Sequence, residues 1–230
     1  MPDNHSLLFG KGAYSFADAA RYLGASTREV RRWISRQEGS NEPGSSGLWV
    51  SQLHGTDVEG IGFKDLIELR FVRIFRSEGV SLSVIRRTIE VARKQFSVPY
   101  PFTSKRFRTD GRQIFLEVIE ECGGASLVDL SRRQNVIERV VGPSLRVGVE
   151  LDPCGEAARW YPLRQSRSIV LDPSRSFGRP ILADSGVPTA AISDALAAEK
   201  NDEKRVARLF EVPLAAVKRA MEFESQLSAA

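Results

Sequence analysis

Residues 14–33 read YSFADAARYLGASTREVRRW, and the first half of this stretch predicts a short helix. Its apolar residues recur at the i, i+3, i+4 and i+7 positions that give a helix one buried face; they are Phe16, Ala19, Ala20 and Leu23. Gly24 follows, and glycine is the residue that most often ends a helix because it adopts left-handed backbone angles freely. The pattern therefore predicts a helix that begins near Phe16 and stops at Gly24.

The second half of the stretch predicts another short helix, which is rich in arginine. Ser26 and Thr27 can cap its N-terminus, since a side-chain oxygen there accepts a hydrogen bond from an otherwise unpaired backbone N–H. Val30 and Trp33 are expected to face inward, while the helix also carries Arg28, Arg31 and Arg32. Two helices, a glycine turn and a basic second helix are typical of a helix-turn-helix, whose second helix fits the DNA major groove. The alternative is an ordinary helical hairpin with solvated arginines.

Composition indicates a folded protein of one to three small domains. The chain has 230 residues, of which 42% are hydrophobic and 27% charged. Its formal net charge of +4 permits an anionic partner without requiring one. Of the 33 basic residues 26 are arginines, whose planar guanidinium suits phosphate, guanine or carboxylate.

Several classes of protein are not indicated by this sequence. No uncharged apolar run approaches the ~18–20 residues that a membrane helix needs, and the N-terminus lacks the apolar segment of a signal peptide. We therefore expect a cytoplasmic protein without membrane contact, in which Cys122 and Cys154 are reduced thiols. With two histidines, His5 and His54, and no nucleotide-binding or nucleophile-elbow motif, we expect no metal site, no cofactor and no enzymatic activity.

A second helical block follows a loop. Residues 36–47 read RQEGSNEPGSSG, a composition typical of a loop, and residues 48–53 predict a short strand where a wing would lie. Residues 61–90 read IGFKDLIELRFVRIFRSEGVSLSVIRRTIE. Apolar spacing predicts helices between residues 63 and 96, with a break at Glu78-Gly79.

This order of elements resembles the DNA-binding domain of the MerR superfamily over roughly residues 12–97. The D-L-x-x-L element at 65–69 and the E-G-V-S-L-x-x-I element at 78–85 carry the resemblance. It implies a winged helix-turn-helix that contacts operator DNA through its second helix, with Ser26, Thr27, Arg28, Arg31 and Arg32 as the DNA-binding residues. The sequence departs from the family in its wing, which reads LWVSQLHG, and no long dimerising coiled coil follows.

Residues 105–162 predict a β-rich segment. Lys105–Thr109 and Arg112–Val118 flank Asp110-Gly111, a dipeptide typical of a two-residue hairpin turn. A second hairpin is predicted for residues 146–161. Trp160, which would lie in its second strand, could stack on bases or belong to the core.

Between those two hairpins, residues 127–130 precede a predicted helix around residues 135–141, which Gly142-Pro143 stops. Beyond them the C-terminal third predicts a short strand at Ile169–Leu171 and then three helices. The helices are expected at Ala190–Glu199, Asp202–Phe210 and Leu214–Leu227. Asp202 can cap the second of these helices.

The C-terminal third resembles an antitoxin-associated family, the domain of unknown function four-three-three. The segments that carry the resemblance are SIVLDP at 168–173, GRPIL at 178–182, SGVPT at 185–189 and VARLFEVPLAAVKRA at 206–220. The resemblance implies a short β-entry and a compact helical bundle. It also implies a protein similar to the VapB-type antitoxins, which accompany toxins of the PIN-like ribonuclease class.

Together these patterns predict a mainly helical α+β protein in three parts. A MerR-like winged helix-turn-helix domain spans residues 1–97, a β-rich middle segment spans 98–165, and a three-helix, helix-turn-helix-like domain spans 166–230. The predicted function is that of an antitoxin of a type II toxin–antitoxin system. It would neutralise a PIN-like ribonuclease toxin and repress its own operon by binding operator DNA, as a homodimer or a toxin–antitoxin hetero-oligomer.

Three basic residues are candidates for toxin binding. Arg179 could pair bidentately with the acidic metal-binding cluster that the resemblance gives to the toxin, or Gly178-Arg179-Pro180 could simply shape a turn. Lys218 and Arg219, on the last helix, could face DNA, toxin or water.

Two rival functions remain open. One is a MerR-like transcriptional regulator without a toxin partner. The other is an enzyme using the carboxylates Glu117, Glu120 and Glu121, for which a solvated charged face is the alternative.

Overall fold

The computed structural model describes residues 10–35, 47–122, 148–163 and 166–228. The first half of the chain contains α1 (Phe16–Leu23), α2 (Thr27–Trp33), β1 (Ile34–Ser35), β2 (Trp49–Val50), α3 (Phe63–Ser77), α4 (Leu82–Phe96) and α5 (Lys105–Cys122). The second half contains β3 (Val149–Leu151), β4 (Ala157–Trp160), β5 (Ile169–Leu171), β6 (Pro180–Leu182), α6 (Thr189–Ala198), α7 (Glu203–Leu209) and α8 (Leu214–Ser228). The fold is therefore α+β, with a small antiparallel sheet among the helices.

The two helices expected in residues 14–33 are confirmed, and local hydrogen bonds explain their limits. The Ser15 hydroxyl accepts a hydrogen bond from the backbone of α1, and Gly24 ends this helix with a φ of 59°. At the start of α2, Ser26 and Glu29 form a capping box, in which each side chain accepts a hydrogen bond from the other residue's backbone N–H. These caps satisfy backbone groups that a helix terminus otherwise leaves unpaired.

The helices predicted between residues 63 and 96 are also confirmed as α3 and α4. Ser81 caps α4 by accepting a hydrogen bond from the backbone N–H of Val84. Most of α3 is buried, since α1, α4 and the sheet all pack against it. It is therefore the central helix of the first core.

The hairpin predicted around Asp110-Gly111 is wrong, because residues 105–122 form the continuous helix α5. One face of this helix buries Phe107, Ile114, Phe115 and Val118, a spacing that only a helix turns to one side. Gly111 belongs to this packing, since a β-carbon there would come within 2.8 Å of the Phe107 ring. The helical apolar face thus overrides the local turn preference of the Asp-Gly pair.

The hairpin predicted for residues 146–161 is confirmed in its described part. Strands β3 and β4 pair antiparallel, with Val149 opposite Trp160. The sheet continues through β5 to β6 in the order β3-β4-β5-β6, so the strand predicted at Ile169–Leu171 is confirmed as well. The predicted elements at 127–130 and 135–141 lie outside the described residues.

The three helices predicted near the C-terminus are confirmed as α6, α7 and α8, within about one residue at each end. The Asp202 carboxylate caps α7 by accepting a hydrogen bond from the backbone N–H of Arg205. Buried apolar residues on all three helices form one cluster with Ile169 and Leu182 of the sheet.

The apolar interior consists of this C-terminal cluster and a larger one. The larger cluster extends from Tyr14 to Val118 and includes Trp160 and Leu171 of the sheet. At its centre Phe75 stacks on Phe115 with a ring-centroid distance of 5.0 Å. The sheet contributes residues to both clusters. Strands β3 and β4 precede residue 165 and β5 and β6 follow it, so a single sheet spans this position. In the described ranges, no helix is both long and apolar enough to cross a membrane.

Candidate functional site

The second helix of the pair, α2, presents arginines to solvent on the face opposite to its buried residues. Val30 and Trp33 anchor the helix in the core, with exposed fractions of 0% and 4%. Arg28 and Arg32 lie four residues apart, and a helical period of about 100° per residue directs them away from that anchor. Both are exposed, and the described part of the chain holds no ion-pair partner for either. Their charge is available for a ligand.

Arg31 occupies one flank of α2 and already has partners within the chain. Its guanidinium lies 3.0 Å from Glu59 and 4.4 Å from the centroid of the Phe16 ring. Thr27 lies on the same flank and is exposed. An anionic ligand at Arg31 would therefore have to compete with the Glu59 carboxylate.

Ser26 is exposed but engaged in the capping box with Glu29. The hydrogen bonds from Ser26 lower the pKa of Glu29, and the nearby Arg73 and Arg76 of α3 lower it further. The other flank of α2 therefore faces positive charge from α3. The main structural role of Ser26 is therefore to cap the N-terminus of α2.

A buried carboxylate, Asp65, organises the segment that follows α2. It accepts hydrogen bonds from the Trp49 indole at 2.8 Å and from the backbone of Gln52 at 2.7 Å. The Ser51 hydroxyl and the backbone N–H of Gly62 also donate to it. Burial raises the pKa of Asp65, and these four donors oppose that rise.

The segment held by Asp65 has a short strand where the sequence predicts one. Strand β2 pairs with β1 in parallel, with Ile34 opposite Trp49. Within the described residues, the segment contains no antiparallel wing hairpin. Hydrogen bonds to Asp65 and pairing with β1 instead hold this segment against the core that also buries α2.

Comparison with known proteins finds similarity to a curated sequence and to a solved structure. A scan against models of protein families finds no match. Over 200 residues the chain is 27% identical to "Putative antitoxin VapB45" of Mycobacterium tuberculosis, a similarity that covers 81% of this chain and 83% of the relative. The chain is therefore distantly similar to a protein whose name is that of a "putative antitoxin".

A solved structure has the same fold. The crystal structure of Rv2018 from Mycobacterium tuberculosis superposes with a TM-score of 0.67 at 22% identity. The match covers 93% of this chain and 99% of that one. The similarity to VapB45 and the likeness to Rv2018 therefore both extend over most of the chain.

The three C-terminal candidate residues differ in their surroundings. Arg179 follows the turn Ser176–Gly178, is exposed, and has no ion pair within the described ranges. Lys218 lies 3.7 Å from Glu203 of α7, and Arg219 donates a hydrogen bond to Ser166 at 2.8 Å. The structure does not bring the three together with the arginines of α2 into one cluster of contacts.

The C-terminal part contacts the residues that immediately precede α1. The Tyr14 hydroxyl donates a hydrogen bond to the Gly178 carbonyl, and the Ala13 N–H donates to the Phe177 carbonyl at 3.0 Å. On the same side of α1, Arg21 lies 3.4 Å from Glu224 of α8. These contacts leave α2 uncovered.

Of the carboxylates considered for an enzyme, Glu117 and Glu121 are exposed on α5. Glu117 accepts a hydrogen bond from Gln113, and Glu121 lies 3.3 Å from Arg87. His54 is an exposed loop residue. The described part of the chain contains no group of three His, Cys, Asp or Glu residues that could hold a metal ion. This face matches the solvated alternative.

Sequence reasoning missed two features that the structure reveals. Glu68 is fully buried, and its carboxylate accepts a hydrogen bond from the backbone N–H of Thr103 at 2.8 Å. Burial raises the pKa of Glu68 to about 8. The signal was an acid within the apolar run of α3. The other feature is the exposed ring of Phe177, for which the sequence gives no signal, because its exposure depends on the fold of a turn.

Proposed function

We propose that this chain is the antitoxin of a type II toxin–antitoxin system. It binds and neutralises a PIN-like ribonuclease toxin and represses its own operon by binding operator DNA. The observation that carries this proposal is the similarity to VapB45, which extends over most of both chains. The exposed basic helix and the C-terminal arginine support its two activities separately.

The DNA-binding activity is assigned to α2 as the recognition helix of a MerR-like winged helix-turn-helix. Arg28 and Arg32 contact phosphate or guanine, and Thr27 lies beside them at the helix start. Arg31 reaches DNA only when it leaves Glu59, and Ser26 acts mainly through the cap of α2. The segment around Trp49, held by Asp65, takes the place of the wing.

Operator binding by such a helix calls for a homodimer or a dimeric toxin–antitoxin complex, because helix-turn-helix proteins bind two-fold related half-sites. The chain acts in the cytoplasm, where operator DNA and a ribonuclease toxin are both present. No catalytic step is assigned to it.

Toxin binding is assigned to the C-terminal part, with Arg179 as the leading residue. Within the described residues the Arg179 guanidinium has no ion pair, and it can form a bidentate pair with the carboxylates of a PIN-like nuclease. Lys218 and Arg219 are weaker candidates, since Lys218 lies near Glu203 and Arg219 already donates to Ser166.

The experiment is co-expression of the full chain with the product of its adjacent gene, followed by affinity purification, size exclusion and a ribonuclease assay. A stable complex in which ribonuclease activity is silenced supports the antitoxin assignment. Failure of the two proteins to co-purify contradicts it. Operator binding without any such partner would instead identify a MerR-like transcriptional regulator.

A further inference from the structure

The turn Ser176–Gly178 has an unusual backbone. Its three residues have φ values of 47°, 53° and 82°, so Ser176 and Phe177 adopt left-handed angles that side chains with a β-carbon disfavour. Such a conformation persists only where surrounding structure imposes it, and it is concentrated at sites that bind something. The turn therefore requires an explanation beyond connecting β5 to β6.

The surrounding contacts hold the main chain of this turn. The Phe177 carbonyl accepts a hydrogen bond from the Ala13 N–H at 3.0 Å, and the Gly178 carbonyl accepts one from the Tyr14 hydroxyl at 2.9 Å. The backbone N–H of Gly178 donates to the Arg175 carbonyl at 2.9 Å. None of these bonds uses the Phe177 side chain.

That side chain is exposed. Phe177 is 52% accessible, and among the described residues only Leu209, at 63%, is another large apolar side chain that is exposed. A fold that constrains the backbone of a residue while leaving its aromatic ring in water gains no core packing from the exposed half of that ring. Exposed aromatic rings on rigid backbone are a common form of contact residue at protein interfaces.

The charged residues nearest to Phe177 in the chain are basic, since Arg175 and Arg179 each lie two positions away. Arg175 donates a hydrogen bond to the Ala183 carbonyl at 3.0 Å, and Arg179 is exposed. Neither guanidinium has an ion-pair partner in the described parts of the chain. An exposed aromatic residue with an arginine two positions to either side in the chain complements an apolar pocket bordered by carboxylates.

We propose that Phe177 is the anchor residue of a protein-docking surface, and that it inserts into an apolar pocket with an acidic rim on the toxin. This inference rests on the proposed function and adds the residue that supplies apolar contact next to Arg179. The strained turn fixes the ring before binding, so little side-chain or backbone freedom is lost when the complex forms.

The test measures binding of the full chain to the purified product of the adjacent gene by titration calorimetry. Phe177→Asn removes the ring and keeps a residue that tolerates positive φ. We expect it to weaken binding by about 10-fold or more, the loss typical of an interface anchor, with an unfolding temperature equal to or above that of the wild type. The matched control Leu209→Ala removes the other exposed apolar side chain, and it should leave affinity within about twofold.

The other outcomes are distinguishable. Unchanged affinity for Phe177→Asn overturns the inference and leaves the proposed function intact, and so does loss of affinity only for Leu209→Ala. A change in the oligomeric state of the chain alone, measured for Phe177→Asn by size exclusion with light scattering, assigns the ring to contact with a second copy and also overturns the inference. If the wild-type chain itself does not bind the adjacent gene's product, the proposed function fails first.

Discussion

The hydroxyl of Tyr14 donates a hydrogen bond to the backbone carbonyl of Gly178 over 2.9 Å, joining residues that are 164 positions apart. Tyr14 is 2% exposed and immediately precedes the cap of α1. A β-carbon on Gly178 would lie only 2.2 Å from the Tyr14 hydroxyl oxygen. The start of α1 and the turn after β5 therefore fit together closely because residue 178 is glycine.

We expect Gly178→Ala to lower the free energy of unfolding by more than about 2 kcal/mol, through positive-φ strain and steric overlap together. The measurement is equilibrium unfolding in urea. Gly79→Ala is the matched control, because Gly79 has a φ of 84° with no atom within 4 Å of the added β-carbon. The control should cost about 1–2 kcal/mol, from strain alone. Equal losses in the two variants would show that the Tyr14 contact is unimportant.

The buried carboxyl group of Glu68 should make the stability of the protein depend on pH. Its pKa in the folded protein, about 8, lies above its ordinary value of 4.5, so the folded state holds a proton that the unfolded state releases between these limits. Stability is then greatest below pH 4.5 for this group and falls as pH rises toward 8, by at most about 1.4 kcal/mol per pH unit. Asp65, whose pKa burial also raises, acts in the same direction, whereas Arg93 lowers the pKa of Glu68.

The check is urea unfolding of Glu68→Gln at pH 5.5 and pH 8. Glutamine mimics the protonated acid, so the variant should gain stability relative to the wild type as pH rises. Glu117→Gln, on the exposed face of α5, serves as the control and should show a difference independent of pH. A wild-type protein that becomes more stable across this interval relative to Glu68→Gln contradicts the assignment.

Because Ser26 caps α2, substitutions of Ser26 should change stability more than a substitution of Thr27, the first residue of the helix. Ser26→Ala removes the hydroxyl that accepts from the Glu29 N–H, and it should cost about 0.5–2 kcal/mol of stability. Ser26→Asn retains an acceptor at the N-cap and should restore most of this loss. Thr27→Ala, one position later, should change stability by less than about 0.5 kcal/mol. Thermal unfolding followed by circular dichroism compares the three variants.

Arg28 and Arg32 predict salt-dependent DNA binding. If each contacts a phosphate, its replacement by alanine should weaken operator binding and reduce the slope of log affinity against log salt concentration by about 1. Fluorescence anisotropy with the full chain and the DNA upstream of its gene measures both quantities. Arg87→Ala, which removes one charge from the pair with Glu121, is the control. An unchanged slope in Arg28→Ala and Arg32→Ala would exclude α2 from the DNA interface.

Elements that depend on local chemistry were predicted well from the sequence. The helices α1 and α2 follow from apolar spacing, from Gly24 and from the Ser26 cap, all of which act within one or two turns. The helices α6, α7 and α8 follow for the same reason, with Asp202 as the cap of α7. The arginines of α2 could be named as DNA-binding candidates because their exposure follows from the buried positions of Val30 and Trp33.

Helix α5 shows where local chemistry misleads. Asp110-Gly111 favours a turn in an isolated hairpin, but the ring of Phe107 packs over Gly111 while the same helix face buries Phe115 and Val118. The burial of several large side chains outweighs a preference that is worth about 1 kcal/mol. A sequence pattern does not reveal this, because the surface that buries these rings comes from α3, α4 and residue Phe102.

The sequence by itself determined the positions of the short helices α1 and α2, the three C-terminal helices, the hairpin of β3 and β4, and the basic character of α2. Each of these rests on interactions between residues close in the chain. Only the tertiary structure decided that Glu68 is buried, that Arg31 is paired with Glu59, and that Phe177 is held in solvent on a left-handed turn. Each of these features depends on contacts between segments that are far apart in the chain, as the contact of Tyr14 with Gly178 does. Burial and ion pairing are set by such contacts, so they are not visible in a local sequence pattern.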